Sequence, residues 1–261
     1  MLNPTGLDPY KPTQIAELVE SAGVAKAKLP ARQLLTLSIL AGVFIGLGAV
    51  AYTMVMTGVD ASFGPYRFLG GIVFSLGLIL IIVGGAELFT GNALMVMATV
   101  DGLITPAELL RNWSLVYFGN FIGASALAIA VYLSGILDGP AGATAISTTD
   151  AKASLGAMEA FVRGILCNML VCLAVWLTIA ARTVTGKILA IIWPIATFVM
   201  LGLGHSVANM YLIPQGMLAG STAGAGDFAS NLLFVTLGNI VGGAGGVALA
   251  YRLAYAPNSK K

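Results

Sequence analysis

Charged side chains are scarce in this chain. Only 9% of its 261 residues are Asp, Glu, Lys or Arg, whereas a typical soluble domain has about 25%. Hydrophobic residues make up 58%, so there is too little polar surface to keep one or two domains of this total length in solution. The net charge of +2 is small, and it gives no reason to expect a nucleic-acid partner.

Histidine and cysteine are rarer still, with one and two residues. Cys167 and Cys172 are five positions apart, about 140° around a helix, so they cannot form a pair of metal ligands. We interpret both as packing residues. A single histidine also gives little basis for catalysis, which needs paired carboxylates, a metal cluster or a nucleophile beside a base. We therefore expect no enzyme activity, no metal and no cofactor.

Long uncharged runs are abundant instead. Six runs each reach or exceed the roughly 18 to 20 residues that cross a bilayer as a helix. They cover residues 33–58, 68–86, 112–137, 164–181, 188–226 and 228–251. Because unpaired backbone groups are costly in lipid, we predict an all-α integral membrane protein with six transmembrane helices. The whole chain, 1–261, is predicted to be one domain with its six-helix core at 31–255.

The segment before the first run has a different pattern. Residues 1–30 carry both acidic and basic side chains and have no continuous apolar core, which argues against a cleaved signal peptide. Ile15, Leu18, Val19 and Ala22 follow helical spacing. This spacing predicts an amphipathic helix at the membrane surface, and a solvated tail is the alternative.

Lysine and arginine are distributed unevenly between the two sides of the predicted core. Six spans place both termini on one side, which then carries ten of these residues. Arg67, Lys152 and Arg163 lie on the opposite side. Because basic residues concentrate in cytoplasmic loops, we predict a multi-pass protein of the inner membrane with both termini in the cytoplasm.

Two of the six spans are interrupted by glycine and a polar residue. The second contains GGAELFTGN, with Glu87 inside it, and the fifth contains GLGHSVANM, with His205 inside it. Interruptions at corresponding places in two halves are typical of a transport site at the membrane midplane. These two breaks therefore predict a channel or transporter.

The third and sixth spans also share a motif. GNFIGA lies in the third and GNIVGGA in the sixth, so spans one to three and four to six are interpreted as one unit used twice. Since each unit has an odd number of spans, the second copy must be inverted in the membrane. The sequence thus predicts an inverted 3+3 repeat with broken second and fifth helices.

Four motifs together resemble those of the formate/nitrite transporter family. They are GGAELFTGN, GILCNMLVCLAVW, GHSVANMYLIP and LGNIVGG, and the resemblance extends from about residue 15 to about residue 255. It implies an aquaporin-like fold in a homopentamer with one pore in each protomer. It also implies passage of small monovalent anions of weak acids, namely formate, nitrite or hydrosulfide. We expect formate, the family's most general substrate.

The resemblance also implies site residues. His205 corresponds to the central pore histidine, and Thr90 to the threonine that faces it from the loop of the second span. Asn168 and Asn239 correspond to asparagines that line the pore, and Lys152 to a lysine in the outer vestibule. Two apolar constrictions are implied, an outer one and a cytoplasmic one, formed respectively by Phe74 and Phe198 and by Leu78, Leu88, Phe89 and Val171.

Simpler interpretations exist for some of these residues. Asn120 and Asn239 occupy the matching GN motifs, so one or both can serve only to bond carbonyls exposed at the breaks. Lys152 can be a solvated loop residue. Glu87 is interpreted as structural, holding its loop through backbone N–H groups. Formate channels often have a glutamate just before the histidine, and here that residue is Gly204, so a neighbouring carboxylate is absent.

The implied parts have a physical rationale. Moving a carboxylate-sized anion into a medium of low dielectric constant costs on the order of 20 kcal/mol in the ideal case, so two apolar constrictions favour the neutral acid. A lysine at the mouth attracts the anion. Imidazole titrates near physiological pH, so His205 is predicted to hydrogen-bond the anion and to mediate its protonation.

A neutral-solute pore of the aquaporin type is the alternative to an anion channel. It would share the fold, but its paired Asn-Pro-Ala motifs are missing here. Asn209 is followed by Met210 and Tyr211. The sequence therefore favours the anion channel.

Overall fold

Every regular element that the computed structural model describes, over residues 8–255, is helical. Five stretches in that range are long and apolar enough to cross a membrane, and a helix of 17 residues begins the remaining span. The α-helices in chain order are α1 (Pro12–Ala27), α2 (Ala31–Val55), α3 (Gly64–Phe74), α4 (Leu76–Gly84), α5 (Val96–Val100), α6 (Pro106–Leu133), α7 (Pro140–Ala153), α8 (Ala157–Ala180), α9 (Val184–Met200), α10 (Ser206–Ala219), α11 (Ala225–Ile240) and α12 (Ala250–Tyr255).

Both predicted breaks lie at the predicted places. The second span consists of α3 and α4, a loop at 85–90, a 3₁₀ helix (Gly91–Met95) and α5. The fifth consists of α9, a loop at 201–205 and α10. Gly85 has φ +86° and Gly202 has φ +67°, a backbone conformation that residues with a side chain rarely adopt. Glycine therefore lets the chain leave the helix at each break.

The inverted repeat is visible in how the long helices pack. A Cβ atom on Gly123 of α6 would overlap the carbonyl oxygen of Ile39 in α2. In the second half, a Cβ on Gly242 would overlap the carbonyl oxygen of Ile165 in α8. Glycine at these positions lets two backbones approach closely, as small residues do between transmembrane helices. Each half is therefore built around one tightly packed helix pair.

The predicted N-terminal helix exists as α1, but its apolar face is buried against the protein. Ile15, Ala16 and Val19 pack with the 3₁₀ helix, α5 and α8. Leu18, which was predicted on the apolar face, is 38% exposed. Helix α1 therefore covers the 3₁₀ helix and α5, the part of the second span that follows its break.

An additional helix, α7, lies between the third and fourth spans, in a stretch for which the sequence predicted no helix. It packs mainly against α10. Each half of the chain thus begins with a short helix outside the core, and the three intervening spans place α1 and α7 on opposite sides. We refer to these as the α1 side and the α7 side.

The last span contains a π-helical segment, Val241–Leu249, between α11 and α12. Its sequence includes GGAGG. Such i→i+5 turns are rare and are usually confined to one turn of a helix. Before this segment lies Asn239, and beyond it lies Arg252, which pairs with Asp101.

Candidate functional site

The two breaks meet at a hydrogen bond between Thr90 and His205. Thr90 Oγ1 and His205 Nε2 are 3.0 Å apart, and both side chains are buried. His205 also caps α10, since its Nδ1 accepts the backbone N–H of Ala208 at 3.0 Å. Because Nδ1 is an acceptor, the imidazole is neutral, carries its proton on Nε2 and donates to Thr90. The partial positive charge at the start of α10 also disfavours a charged ring.

The first break is held by an asparagine of the third span. Asn120 Nδ2 donates to the carbonyl of Ser38 at 2.7 Å and to that of Glu87 at 2.9 Å. Its Oδ1 accepts the backbone N–H of Phe89 at 2.9 Å. The bonds to Glu87 and Phe89 replace helical hydrogen bonds that the break removes, as buried backbone groups require. The bond to Ser38 ties the break to α2.

Asn239 does the same for the second break. Its Nδ2 donates to the carbonyls of Gly164 and Gly204, both at 2.8 Å. Its Oδ1 accepts the backbone N–H of Ser206 at 2.9 Å. Both amide hydrogens and the amide oxygen are therefore bonded to backbone. This bonding is what the alternative interpretation of its GN motif expects, while the pore role of Asn239 stays a prediction.

Asn168, in the fourth span, joins the first break to the sixth span. Its Nδ2 donates to the carbonyl of Thr90 at 3.2 Å and to that of Asn239 at 2.7 Å. Cys172 Sγ lies 3.4 Å from the same Thr90 carbonyl. Asn168 thus fixes the position of Thr90 relative to the sixth span.

A small apolar cavity of about 10 Å³ lies beside His205. A cavity of this size holds about one water molecule. The predicted outer and inner constrictions meet at this cavity, which is lined by Ile45, Phe74, Leu78, Leu88, Val171, Ile195, Phe198 and His205.

The outer wall of this cavity is aromatic. Phe74 and Phe198 meet edge to face with ring centroids 5.7 Å apart. His205 stacks on Phe198 at 5.8 Å. The imidazole therefore belongs to the same close-packed group as the two phenyl rings.

Apart from Lys152, which lines a larger cavity, four predicted site residues do not line the small cavity. Phe89 packs edge to face on Trp113 and Tyr117, with centroids 6.0 Å and 4.9 Å away. The others are held in the polar contacts described above: Thr90, Asn168 and Asn239. His205 is thus the polar side chain of this cavity, which is narrower and more apolar than the predicted chamber.

A larger cavity of about 340 Å³ opens on the α7 side. Arg67, Lys152 and Arg163 line it, and His205 and Phe198 belong to both cavities. The three basic residues that the sequence placed on this side thus share one space, and no carboxylate side chain is among its described lining residues. Desolvation lowers the pKa of Lys152 to about 8, and repulsion from Arg163 acts in the same direction.

The sequence profile of the Formate/nitrite transporter family matches residues 13–253. The chain belongs to this family. It is 38% identical to the formate channel FocA of Escherichia coli K12 over 94% of each chain. A solved pentameric formate channel with formate bound is 38% identical and has a TM-score of 0.79, covering 87% of this chain and 98% of that one. An FNT family ion channel is 29% identical with a TM-score of 0.85, covering 93% and 99%.

Family membership confirms the main predictions about this transporter. The chain is a helical, multi-pass membrane protein of the formate/nitrite transporter type. The expectation of transport without catalysis is confirmed by the same match. The distribution of motifs over nearly the whole sequence, more than any single residue, carried that prediction.

Sequence reasoning missed one polar cluster of this formate/nitrite transporter. Lys26 Nζ of α1 donates to Glu87 Oε1 at 2.7 Å and to Asn92 Oδ1 at 2.9 Å. Asn92 Nδ2 donates to Glu87 Oε2 at 2.8 Å. Glu87 is therefore structural as predicted, but side chains hold its carboxylate where backbone N–H groups were expected. A buried carboxylate within a span was the signal that such a cation was needed.

Proposed function

We propose that this transporter is a channel for formate, which it passes as the neutral acid through the apolar constrictions beside His205. The observation that carries this proposal is the position of His205. It borders both the cationic cavity and the small apolar cavity, so a solute moving from one to the other passes the imidazole. Relatives named as formate channels support formate as the substrate.

The cationic cavity concentrates the anion. Arg67, Lys152 and Arg163 create a positive potential at the mouth, and clefts lined by one sign of charge raise the local concentration of the opposite ion. Beyond it, Phe74 and Phe198 leave a space that is smaller than formate. The two rings must therefore move during each passage, and a charged solute must lose its hydration there.

His205 acts as a fixed hydrogen-bond donor in this mechanism. Its Nδ1 is engaged by Ala208, so protonation of that nitrogen would break the cap of α10. The Nε2–H donates to Thr90 Oγ1 at 3.0 Å in the structure. When a solute passes, the same N–H can donate to one of its oxygens instead. We place proton uptake by formate in the water-accessible cavity, before the constriction. This differs from the protonation by His205 that the sequence suggested.

The proposed assembly and orientation follow the same relatives and the charge pattern. We propose a homopentamer with one pore in each protomer, and the likeness to a solved pentameric formate channel supports this assembly. We further propose that the α1 side faces the cytoplasm of the inner membrane, because most lysines and arginines lie there. The α7-side cavity then faces outward.

A flux panel in proteoliposomes tests the substrate. We expect formate uptake to exceed that of lactate, chloride and glycerol. Formate uptake should increase about tenfold for each unit by which external pH falls, as the neutral fraction of a carboxylic acid does well above its pKa. Faster uptake of nitrite or hydrosulfide than of formate would reassign the substrate within the family. Glycerol flux without pH dependence would contradict an anion channel.

Widening the constriction should relax size selection. In Phe198→Ala the ring that contacts Phe74 and His205 is lost, so we expect the lactate-to-formate flux ratio to rise about tenfold, the usual effect of a few missing side-chain carbons. Phe68→Ala is the matched control, because Phe68 stacks on Trp193 away from both cavities. Equal ratios in wild type and Phe198→Ala would remove Phe198 from the pathway.

A further inference from the structure

The two halves of the channel repeat the same contacts around their breaks. The N–H of Glu87 donates to the carbonyl of Leu37 at 3.2 Å, and the N–H of Gly204 donates to that of Arg163 at 3.3 Å. The carbonyls of Glu87 and Gly204 both accept a bracing asparagine. Glu87 and Gly204 therefore occupy equivalent positions in the two halves.

A second relay of asparagines lies beside the first break. Asn92 Nδ2 donates to Asn112 Oδ1 at 2.9 Å. Asn112 Nδ2 donates to the carbonyl of Lys26 at 3.2 Å. This relay ties the 3₁₀ helix through the third span to the last turn of α1.

The second half has the same relay. Asn209 Nδ2 donates to Asn231 Oδ1 at 2.7 Å, and Asn231 Nδ2 donates to the carbonyl of Lys152 at 2.9 Å. Lys152 lies in the last turn of α7, as Lys26 does in α1. Lys152 and Asn209 are therefore the equivalents of Lys26 and Asn92.

The first half completes this arrangement with a carboxylate. Glu87 accepts from both Lys26 and Asn92, and Lys26 also donates to Asn92 Oδ1. The charge of the lysine and all polar atoms of the Asn92 side chain are thereby paired. A buried charge in a membrane protein requires such pairing.

The second half has the lysine and the asparagine but lacks the carboxylate. Gly204 has no side chain, and Asn209 Oδ1 is buried with no hydrogen-bond partner among the described residues. The Asn209 Nδ2 group donates only its bond to Asn231 there, so one of its two N–H groups is open. In the first half the same two atoms of Asn92 are bonded: Nδ2 donates to Glu87, and Oδ1 accepts from Lys26.

We propose that this place is a binding subsite for a small bent O–X–O anion, which supplies the carboxylate that Gly204 cannot. One oxygen of the anion accepts from Lys152 Nζ and the other from Asn209 Nδ2. When the anion is bound, Lys152 Nζ also donates to Asn209 Oδ1, which without it has no partner in the described part of the chain. The anion thus takes the position that the Glu87 carboxylate has in the first half. This subsite rests on the proposed anion-channel function and adds where the anion waits before the constriction.

The surroundings of the subsite favour an anion. Lys152 lines the cationic cavity, and so do Leu203 and His205 on either side of Gly204. Arg67 and Arg163 add positive charge, and the described lining of this cavity offers no competing carboxylate. An anion bound here lies one residue from the imidazole that it must pass next.

Two-point recognition sets the ligand class. Formate and nitrite each present two oxygens on one central atom and can bridge Lys152 and Asn209. Chloride and hydrosulfide have a single acceptor atom, which cannot stand at both of the positions that the two Glu87 oxygens take in the first half. The subsite therefore predicts stronger binding of formate and nitrite than of chloride and hydrosulfide, independently of flux.

A tethered carboxylate tests the subsite. In Gly204→Glu the protein supplies its own carboxylate, which should occupy the place permanently. A Cβ at this position would lie 3.0 and 3.2 Å from the methyl groups of Val235, so the substitution is combined with Val235→Ala. The controls are Val235→Ala alone and Gly204→Ala with Val235→Ala, which make the same room without a carboxylate.

The measurement is binding of ¹³C-formate to the purified full-length protein in nanodiscs by NMR titration. We expect Gly204→Glu/Val235→Ala to weaken formate binding at least tenfold, while both controls bind like wild type. Lys152→Met and Asn209→Leu, which do not depend on room at position 204, should weaken it by about tenfold or more, because each removes a hydrogen bond to a charged group.

The pH dependence of binding gives a further readout. Since the pKa of Lys152 is lowered to about 8, formate binding should decline as pH rises through 8, and Lys152→Arg should remove that decline. The other titratable or charged groups that face this lysine are Arg67, Arg163, His205 and Cys167. The two arginines stay charged in this range.

The outcomes separate the subsite from the proposed function. Unchanged formate binding in the tethered-carboxylate variant and in Asn209→Leu, with normal formate flux in wild type, would overturn the subsite alone. Wild-type binding of chloride as tight as that of formate would overturn the two-point geometry. Absence of formate flux in wild type would instead overturn the proposed function.

Discussion

Replacing Asn239 with leucine should unfold or disassemble the channel and abolish flux, and Asn120→Leu should do the same. Each substitution removes three buried hydrogen bonds to backbone, two of them at a break and one to a neighbouring long helix. A buried donor or acceptor left without a partner costs about 1–3 kcal/mol, so the loss is several kcal/mol and comparable to a large part of the stability of a domain. The measurements are thermal unfolding and the assembled fraction of the purified protein.

Ser125→Ala is the matched control for these two substitutions. Ser125 lies five residues after Asn120 on α6, and its buried hydroxyl has no hydrogen-bond partner among the described residues. Its loss should therefore leave assembly and flux near wild type. If Asn239→Leu assembles normally and loses only flux, Asn239 contacts the solute, as the family resemblance first implied, and does not act as a brace.

Replacing His205 with phenylalanine should reduce formate flux to the level of empty liposomes. The larger ring would fill the cavity of about 10 Å³ that separates Phe74 and Phe198 from the inner constriction. It would also remove the cap of α10 and the donor to Thr90. Formate uptake into proteoliposomes at a fixed pH, normalised to assembled protein, measures the effect.

His205→Asn should reduce formate flux less than His205→Phe, and it tests the role of the Nε2–H donor separately from the cap of α10. Asparagine is a good N-cap, so the bond to Ala208 is kept while the contact with Thr90 is lost. We expect flux to fall but to retain most of its pH dependence, because proton uptake is placed in the cationic cavity. Loss of the pH dependence would return that role to the imidazole. Wild-type flux in His205→Phe would place the pathway elsewhere.

The positions of the breaks could be predicted from sequence because glycine and a polar residue interrupt an apolar run. Gly85 and Gly202 both adopt the positive φ that makes glycine necessary there. Helix α7 could not be predicted, since its small and polar residues give neither an apolar run nor a clear amphipathic pattern. Its role depends on packing against α10, which no local pattern records.

Individual side chains in the site were harder to predict than the breaks. Phe89 lies in a loop without regular periodicity, so its direction toward Trp113 and Tyr117 could not be derived from spacing. Lys26 and Glu87 are 61 positions apart, and only the folded chain brings them together. The motif that contains Asn239 indicated a repeated structural element, but the bonding of its amide required the positions of two other spans.

The π-helical segment of the last span has a consequence for how the channel tolerates change. Before this segment, Asn239 is hydrogen-bonded to the second break, and after it Arg252 forms a salt bridge with Asp101. An α-helix advances about 100° per residue, so two such fixed points on one regular helix would have to agree in phase. The wider, glycine-rich π-helical turns of 241–249 change the rotation per residue, so the two fixed points do not have to agree in phase. We therefore expect the span to accept the gain or loss of one residue here while both of its ends keep their partners.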